Sequence, residues 1–127
     1  MKTNTADLIG PALDWAVAIV EGLTEENAWT TIEIFKAARA GGLYWYSTDW
    51  SQGGPLVERE CIGIEKHRLD GPWQWAACDW HSVVVQGYTC LERSKYIYGP
   101  TPLIAAMRCV VAANLGDEVD IPEELLT

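Results

Sequence analysis

A strongly punctuated helix near the end of the chain is the first constraint on the fold. Residues 103–115 are apolar apart from Arg108 and Asn114. Thr101 is a good N-cap, Pro102 suits the first turn, where its missing N–H costs nothing, and Gly116 can take a left-handed exit. The apolar side chains recur at helical spacing and form a broad stripe, so this helix must pack against a core.

Two more helices are predicted before the middle of the chain. Pro11 and Gly22 bracket residues 12–20, which are apolar almost all round and should therefore be buried on more than one side. Asp14 is the only acid between the ends of this segment, and in the simplest reading it complements the positive end of the helix dipole. A further helix is predicted from the cap Thr24 to Ala38, before Gly41 and Gly42.

The remaining segments favour strands and loops. Residues 56–64, 73–78 and 82–85 have strand-like patterns, whereas residues 47–55 have the composition of a loop with two adjacent glycines. The chain has 127 residues, the usual size of one domain. We therefore expect an α+β fold: a single small domain with an antiparallel β-sheet packed against two to three α-helices. Residues 117–127 form an acidic C-terminal tail that is expected to run extended over the surface.

The charge balance excludes one class of partner. Nine basic and eighteen acidic residues give a formal net charge of −9, which repels the phosphate backbone of long nucleic acids. The same charge still permits a small phosphate-bearing ligand in a local basic pocket, or an acidic mimic of DNA that binds a basic protein. No apolar run reaches the length of a membrane helix, and the N-terminus does not resemble a secretory signal, so a soluble cytoplasmic protein is expected.

Metal and catalytic sites have weaker signals. Four irregularly spaced cysteines predict reduced thiols, and a zinc site built from Cys61, Cys78, His81 and Cys90 would lack the paired Cys-x-x-Cys spacing. No metal or cofactor is therefore predicted. His81 beside Asp79 could act as a base, although no nucleophile lies in a recognisable motif, so we predict no catalytic residues. Three further acids could gather a Mg²⁺ ion: Asp49, Glu58 and Glu60.

Binding has better candidates than catalysis. A helix start presents free N–H groups to an anion, so a phosphate or carboxylate could lie near Thr101 with Arg108 close by. The alternative is a plain capped helix whose arginine pairs with an acid. Seven tryptophans could pack in the core or stack on a planar ligand, and Trp50, beside the glycine-containing loop, is the best stacking candidate.

Three separated blocks of sequence resemble the phage NinX-like family. They are PALDWAV at residues 11–17, TDWSQGGPLVERE at residues 48–60 and GPTPLIAAMR at residues 99–108, followed by GDEV and IPEEL in the tail. The resemblance spans nearly the whole chain as a single domain; residues 23–47 lie outside the matching blocks and are a candidate insertion. It implies a small accessory protein of tailed phages and prophages, whose function is unknown.

The resemblance also suggests a binding site. If its three blocks converge, they form one pocket whose ligand-binding residues would be Asp14, Trp50, Ser51, Gly53, Gly54, Thr101 and Arg108. By analogy with other small phage proteins, we expect a non-catalytic anti-defence protein that sequesters a nucleotide-derived immune signal, of the cyclic oligonucleotide or ADP-ribose type, as a homo-oligomer in the cytoplasm of the infected bacterial host. The alternatives are an acidic inhibitor of a host defence protein and a small metal-dependent hydrolase of such signals.

Overall fold

A computed structural model describes residues 1–23, 28–68 and 70–126 of the chain. In chain order its elements are β1 (Lys2–Asn4), α1 (Gly10–Val20), α2 (Ala28–Ala40), α3 (Trp50–Arg59), β2 (Ile62–Arg68), β3 (Trp73–Val85), β4 (Tyr88–Arg93), β5 (Ile97–Gly99), α4 (Pro102–Leu115) and β6 (Glu118–Asp120). Short 3-10 turns span Thr5–Asp7 and Glu123–Leu125. The α+β fold class and the single small domain with an antiparallel sheet are confirmed.

The central element is α4. All residues from Leu103 to Val111 are buried, because α1 and α3 pack against α4 on one side and the sheet packs on the other. Thr101 caps the helix as predicted, since its Oγ1 accepts a hydrogen bond from the Ile104 N–H at 3.1 Å. Gly99 allows the close approach to the sheet: a Cβ there would lie 2.7 Å from the Ala105 nitrogen.

The sheet is antiparallel throughout. Strand β2 pairs with the first half of β3, with Gly63 opposite Cys78, and β5 also pairs with β3, with Ile97 opposite Ala77. The second half of β3 pairs with β4. The sequence predicts two strands at residues 73–78 and 82–85, whereas the structure has one continuous strand, because backbone pairing carries through the intervening polar residues Asp79 and His81.

The first turn of α3 corrects the prediction of a loop at residues 47–55. Asp49 caps a helix that begins at Trp50, and this helix also takes the first residues of the strand predicted at 56–64, so β2 begins only at Ile62. Gly53 is required at its place because a Cβ would overlap the Tyr46 carbonyl oxygen. Burial of Gly53 and Leu56 against the core outweighs the low helix propensity of two glycines and a proline.

The second helix and the tail also differ from expectation. The predicted start at Thr24 lies outside the described residues, and α2 ends at Ala40, two residues beyond the prediction. The tail does not simply cover the surface: β6 pairs with β1, and Ile121 and Leu125 are buried in the main core. No helix among the described residues is both long and apolar enough to cross a membrane.

Candidate functional site

A cavity of about 590 Å³ opens between α4, the 3-10 turn at Thr5–Asp7 and the segment that joins β4 to β5. This volume falls in the range of about 300–1,000 Å³ that is typical of small-molecule sites. The polar and aromatic side chains that line it are Asp7, Gln74, Asp79, Ser94, Lys95, Tyr96, Tyr98, Arg108 and Asp117. The cavity is therefore a candidate binding site.

Arg108 is the most buried charged residue in the lining of this cavity. Its side chain is held by backbone: Nε donates to the Leu8 carbonyl at 2.8 Å, and Nη1 donates to the Tyr98 carbonyl at 2.7 Å. Only 9% of the residue is exposed, and Nη2 makes no hydrogen bond to any described residue. Two carbonyls therefore fix the guanidinium plane and leave one nitrogen available.

The charge of Arg108 is not neutralised by a close partner. No carboxylate in the described ranges lies within ion-pair distance of it; burial lowers its pKa, and Asp7 acts more weakly in the opposite direction. An arginine remains protonated despite such a shift. Buried charges are normally paired. Arg108 is an exception among the described residues, because the predicted alternative, an ion pair between this arginine and an acid, does not form.

Two aromatic rings, Tyr96 and Tyr98, line the same cavity as Arg108. Tyr96 and Tyr98 are two residues apart on the chain, and both rings lie against His67, with centroid separations of 4.5 and 5.8 Å. The Tyr96 hydroxyl donates to Glu65, and this hydrogen bond lowers the pKa of Glu65 and raises that of Tyr96. The Arg93 guanidinium lies 4.1 Å from the centre of the Tyr96 ring and covers part of it, so Tyr98 is the less obstructed of the two rings at the cavity.

The balance of charge in the cavity restricts what it can hold. Asp7, Asp79 and Asp117 outnumber Lys95 and Arg108, and Lys95 is paired with Asp117 at 3.0 Å. The net field would repel a polyanion, whereas the Arg108 end can attract a single anionic group. The carboxylates can accept hydrogen bonds from hydroxyl groups of the same ligand.

The predicted site residues do not all meet in this cavity. Asp14 is completely buried, and its carboxylate accepts hydrogen bonds from the Ser47 N–H and hydroxyl at 2.9 and 2.7 Å and from Arg39 at 3.0 Å. This network joins α1, α2 and the turn before α3. Asp14 is thus not restricted to complementing the helix dipole, and it does not line the Arg108 cavity.

The residues predicted around the glycine loop form the first turns of α3. Trp50 is 51% exposed, a Cβ at Gly54 would lie 3.7 Å from its ring, and Gly53 packs against Tyr46 and Leu103. Ser51 donates to Asp49 from both its N–H and its hydroxyl, which lowers the pKa of Asp49. The Ser51 N–H is therefore occupied by the cap and is not available to a ligand.

Most of the predicted site residues lie away from the Arg108 cavity. Thr101 uses its hydroxyl as a cap, and of the seven predicted residues only Arg108 lines the cavity. Tyr96 and Tyr98 were not predicted as site residues, although they alternate immediately before Gly99 and Pro100, as expected for neighbours on one strand face. Nothing in the sequence pointed to Asp7, which reaches the cavity through the long-range pairing of the two chain ends.

One thiol, that of Cys109, lines the cavity. Burial raises the pKa of Cys109 to about 12, so its thiol is protonated at neutral pH. In the described ranges, no three His, Cys, Asp or Glu side chains are grouped so as to hold a metal ion. His81 lies 3.3 Å from Asp79, but only Asp79 belongs to the cavity lining.

Fold and cavity together define a small α+β protein with a buried arginine facing a cavity at the edge of its sheet. Residues 4–114 match the protein family described as Bacteriophage P22, NinX. The chain belongs to this phage family, which confirms the resemblance found in the sequence. No curated protein matches the chain.

Proposed function

We propose that the protein is a phage anti-defence protein that binds and sequesters a small nucleotide-derived immune signal, of the cyclic oligonucleotide or ADP-ribose type, in the cytoplasm of the infected host. The binding site is the Arg108 cavity and not the pocket expected from the sequence. One observation carries this proposal: Arg108 is 9% exposed, and its guanidinium, fixed by two carbonyls, faces the cavity without a close carboxylate. Such a group gains most from an anionic ligand.

The neighbours of Arg108 favour a nucleotide over a simple anion. Tyr98 offers a ring face on which a base can stack, beside Tyr96, whose ring is partly covered by Arg93. Asp7 and Asp117 lie in the same lining and can accept hydrogen bonds from ribose hydroxyls. The ligand would place one phosphate at Arg108 and its sugar near the carboxylates, which favours a ligand of low charge over a polyphosphate.

Sequestration is favoured over hydrolysis by the chemistry of the lining. The cavity has one thiol, Cys109, and its raised pKa leaves little thiolate at neutral pH. Histidine, the commonest general base near neutral pH, does not line the cavity. The ligand should therefore be released unchanged.

Thermal unfolding with a panel of ligands tests this proposal. The panel contains cyclic di- and trinucleotides, ADP-ribose derivatives and mononucleotides. A ligand at 100 times its dissociation constant adds about 2.7 kcal/mol to the free energy of unfolding. We expect one class of ligand to raise the midpoint and to be recovered intact by chromatography. Recovery in altered form would replace sequestration with hydrolysis, and no shift across the panel would contradict ligand binding.

Two variants assign the effect to the cavity. Lys95→Gln removes an exposed cation from the cavity lining and should weaken binding of the active ligand. Lys66→Gln removes a cation from β2, outside the lining, and should leave binding unchanged. Equal effects of the two substitutions would indicate a general charge effect and would contradict the assignment of the site.

A further inference from the structure

The far end of the β-sheet forms a projecting arm, residues 80–93. Strand β2 pairs with β3 only up to Asp79, and beyond that point β3 pairs with β4. Every residue of β4 is exposed. An isolated two-stranded ribbon is at best marginally stable in water, so an arm of this length gains from further pairing.

The outer part of the arm, residues 82–91, is uncharged and largely apolar. Val84 is 74% exposed, Val85 53%, Tyr88 76% and Leu91 71%. Residues 82–91 contain no acidic or basic side chain, although the whole chain has a net charge of −9. Exposed strand edges are usually protected by charges, prolines or bulges. The absence of charge and proline from this stretch of sequence indicates that the edge is used for binding.

We infer that β4 pairs antiparallel with β4 of a second copy of this chain, so that the two arms form one continuous four-stranded sheet. In the symmetric register centred on Cys90, Cys90 lies opposite Cys90 of the second copy, Thr89 opposite Leu91, and Tyr88 opposite Glu92. No like charges face each other in this register, whereas like charges directly opposite would destabilise it.

A second copy suits this edge better than a charged partner does. Two chains of net charge −9 repel each other over most of their surfaces, and the uncharged stretch at residues 82–91 is where that repulsion is least. A two-fold contact is also closed, because each β4 edge is used once and no open edge remains on β4.

The mass of the protein in solution tests this inference. Sedimentation across a concentration series should give a two-chain species for the wild type. Leu91→Lys places two lysines beside the two-fold axis and should give a single-chain species. Leu43→Lys, at an exposed leucine away from the arm, is the matched control and should remain two-chain. Both substitutions are at exposed positions, and circular dichroism of each variant confirms that it folds.

Three results would overturn the inference. They are a single-chain wild type at every concentration, a two-chain Leu91→Lys variant, and open-ended larger species, which would show that the pairing is not closed. Cross-linking gives a second measurement in a Cys61→Ser background, because Cys78 and Cys109 are buried and Cys90 is exposed. A short thiol cross-linker should join two chains through Cys90, and Cys90→Ser should abolish the product. Persistence of the product without Cys90 would contradict the β4 contact.

Discussion

Arg39 donates a hydrogen bond to the completely buried carboxylate of Asp14 across 3.0 Å, which joins α2 to α1. The same guanidinium lies 3.6 Å from the centre of the Trp45 ring. Arg39 and Asp14 are 25 residues apart, and Ser47 completes the network from the turn before α3. This ion pair is a structural feature of the helical half of the molecule and is separate from the Arg108 cavity.

Asp14→Asn should destabilise the fold without affecting the cavity. The substitution retains an acceptor for Ser47 but leaves the partly buried charge of Arg39 without its partner, so the free energy of unfolding should fall by about 2–3 kcal/mol. Urea denaturation measures this change. Asp117→Asn is the control, because its ion pair with Lys95 is exposed and should contribute less than about 1 kcal/mol. Equal losses in the two variants would contradict the structural role of Asp14.

Gly53 and Gly54 provide a matched pair within α3. Gly53→Ala places a Cβ against the Tyr46 carbonyl and the Leu103 side chain, and should lower the free energy of unfolding by about 1–3 kcal/mol. Gly54→Ala meets only an ordinary contact with Trp50 and should raise it by about 0.5–1 kcal/mol, because alanine favours the helix. Urea denaturation of both variants measures these changes. An unchanged free energy of unfolding in Gly53→Ala would be evidence for the loop predicted from the sequence.

Substitution of the helix cap Thr101 should change the stability of the fold without changing ligand binding in the cavity. Thr101→Ala removes the acceptor of the Ile104 N–H and should lower the free energy of unfolding by about 0.5–2 kcal/mol. Because Thr101 does not line the cavity, the dissociation constant of a ligand bound there should not change. Calorimetric titration of the folded variant measures that constant. A large loss of affinity would instead support the pocket expected from the sequence at the start of α4.

Cys109 should make stability depend on alkaline pH. Burial raises its pKa from 9.0 to about 12. Between these two values the folded state keeps a proton that the unfolded state has lost, so the free energy of unfolding is fully retained below about pH 9 and falls as pH rises toward 12. Burial also raises the pKa of Cys78, which adds to the same trend.

Urea denaturation between pH 8 and 10.5 under reducing conditions measures this dependence. Cys109→Ala should reduce the slope of the free energy of unfolding above pH 9. An unchanged slope would show that Cys109 does not carry the proton responsible.

Local signals in the sequence predicted the helices at residues 10–20 and 102–115 because their ends are marked by proline, threonine and glycine. They failed at residues 50–59, where Gly53, Gly54 and Pro55 have the composition of a loop. The helix forms there because Gly53 and Leu56 are buried, which is a property of the assembled fold. Tertiary packing overrides propensity in such segments.

The candidate site could be predicted only in part. Arg108 was identified because it is the only cation of an otherwise apolar helix. Its cavity could not be predicted, because Asp7 and Asp117 reach it through the pairing of β1 with β6 at opposite ends of the chain. Asp14 was predicted to complement the helix dipole or to bind a ligand. Its ion pair with Arg39 was not predicted, since a long-range ion pair has no local signal.

Ligand affinity of Arg108→Lys is the most direct measurement of the central claim. Lysine keeps the charge but cannot donate to the Leu8 and Tyr98 carbonyls and to a ligand in the same plane. Calorimetric titration with the active nucleotide of the panel should show at least about a tenfold loss of affinity, or about 1.4 kcal/mol. Arg39→Lys, at the other largely buried arginine, should bind like the wild type. Unchanged affinity in Arg108→Lys, or an equal loss in Arg39→Lys, would contradict the assignment of the site to the Arg108 cavity.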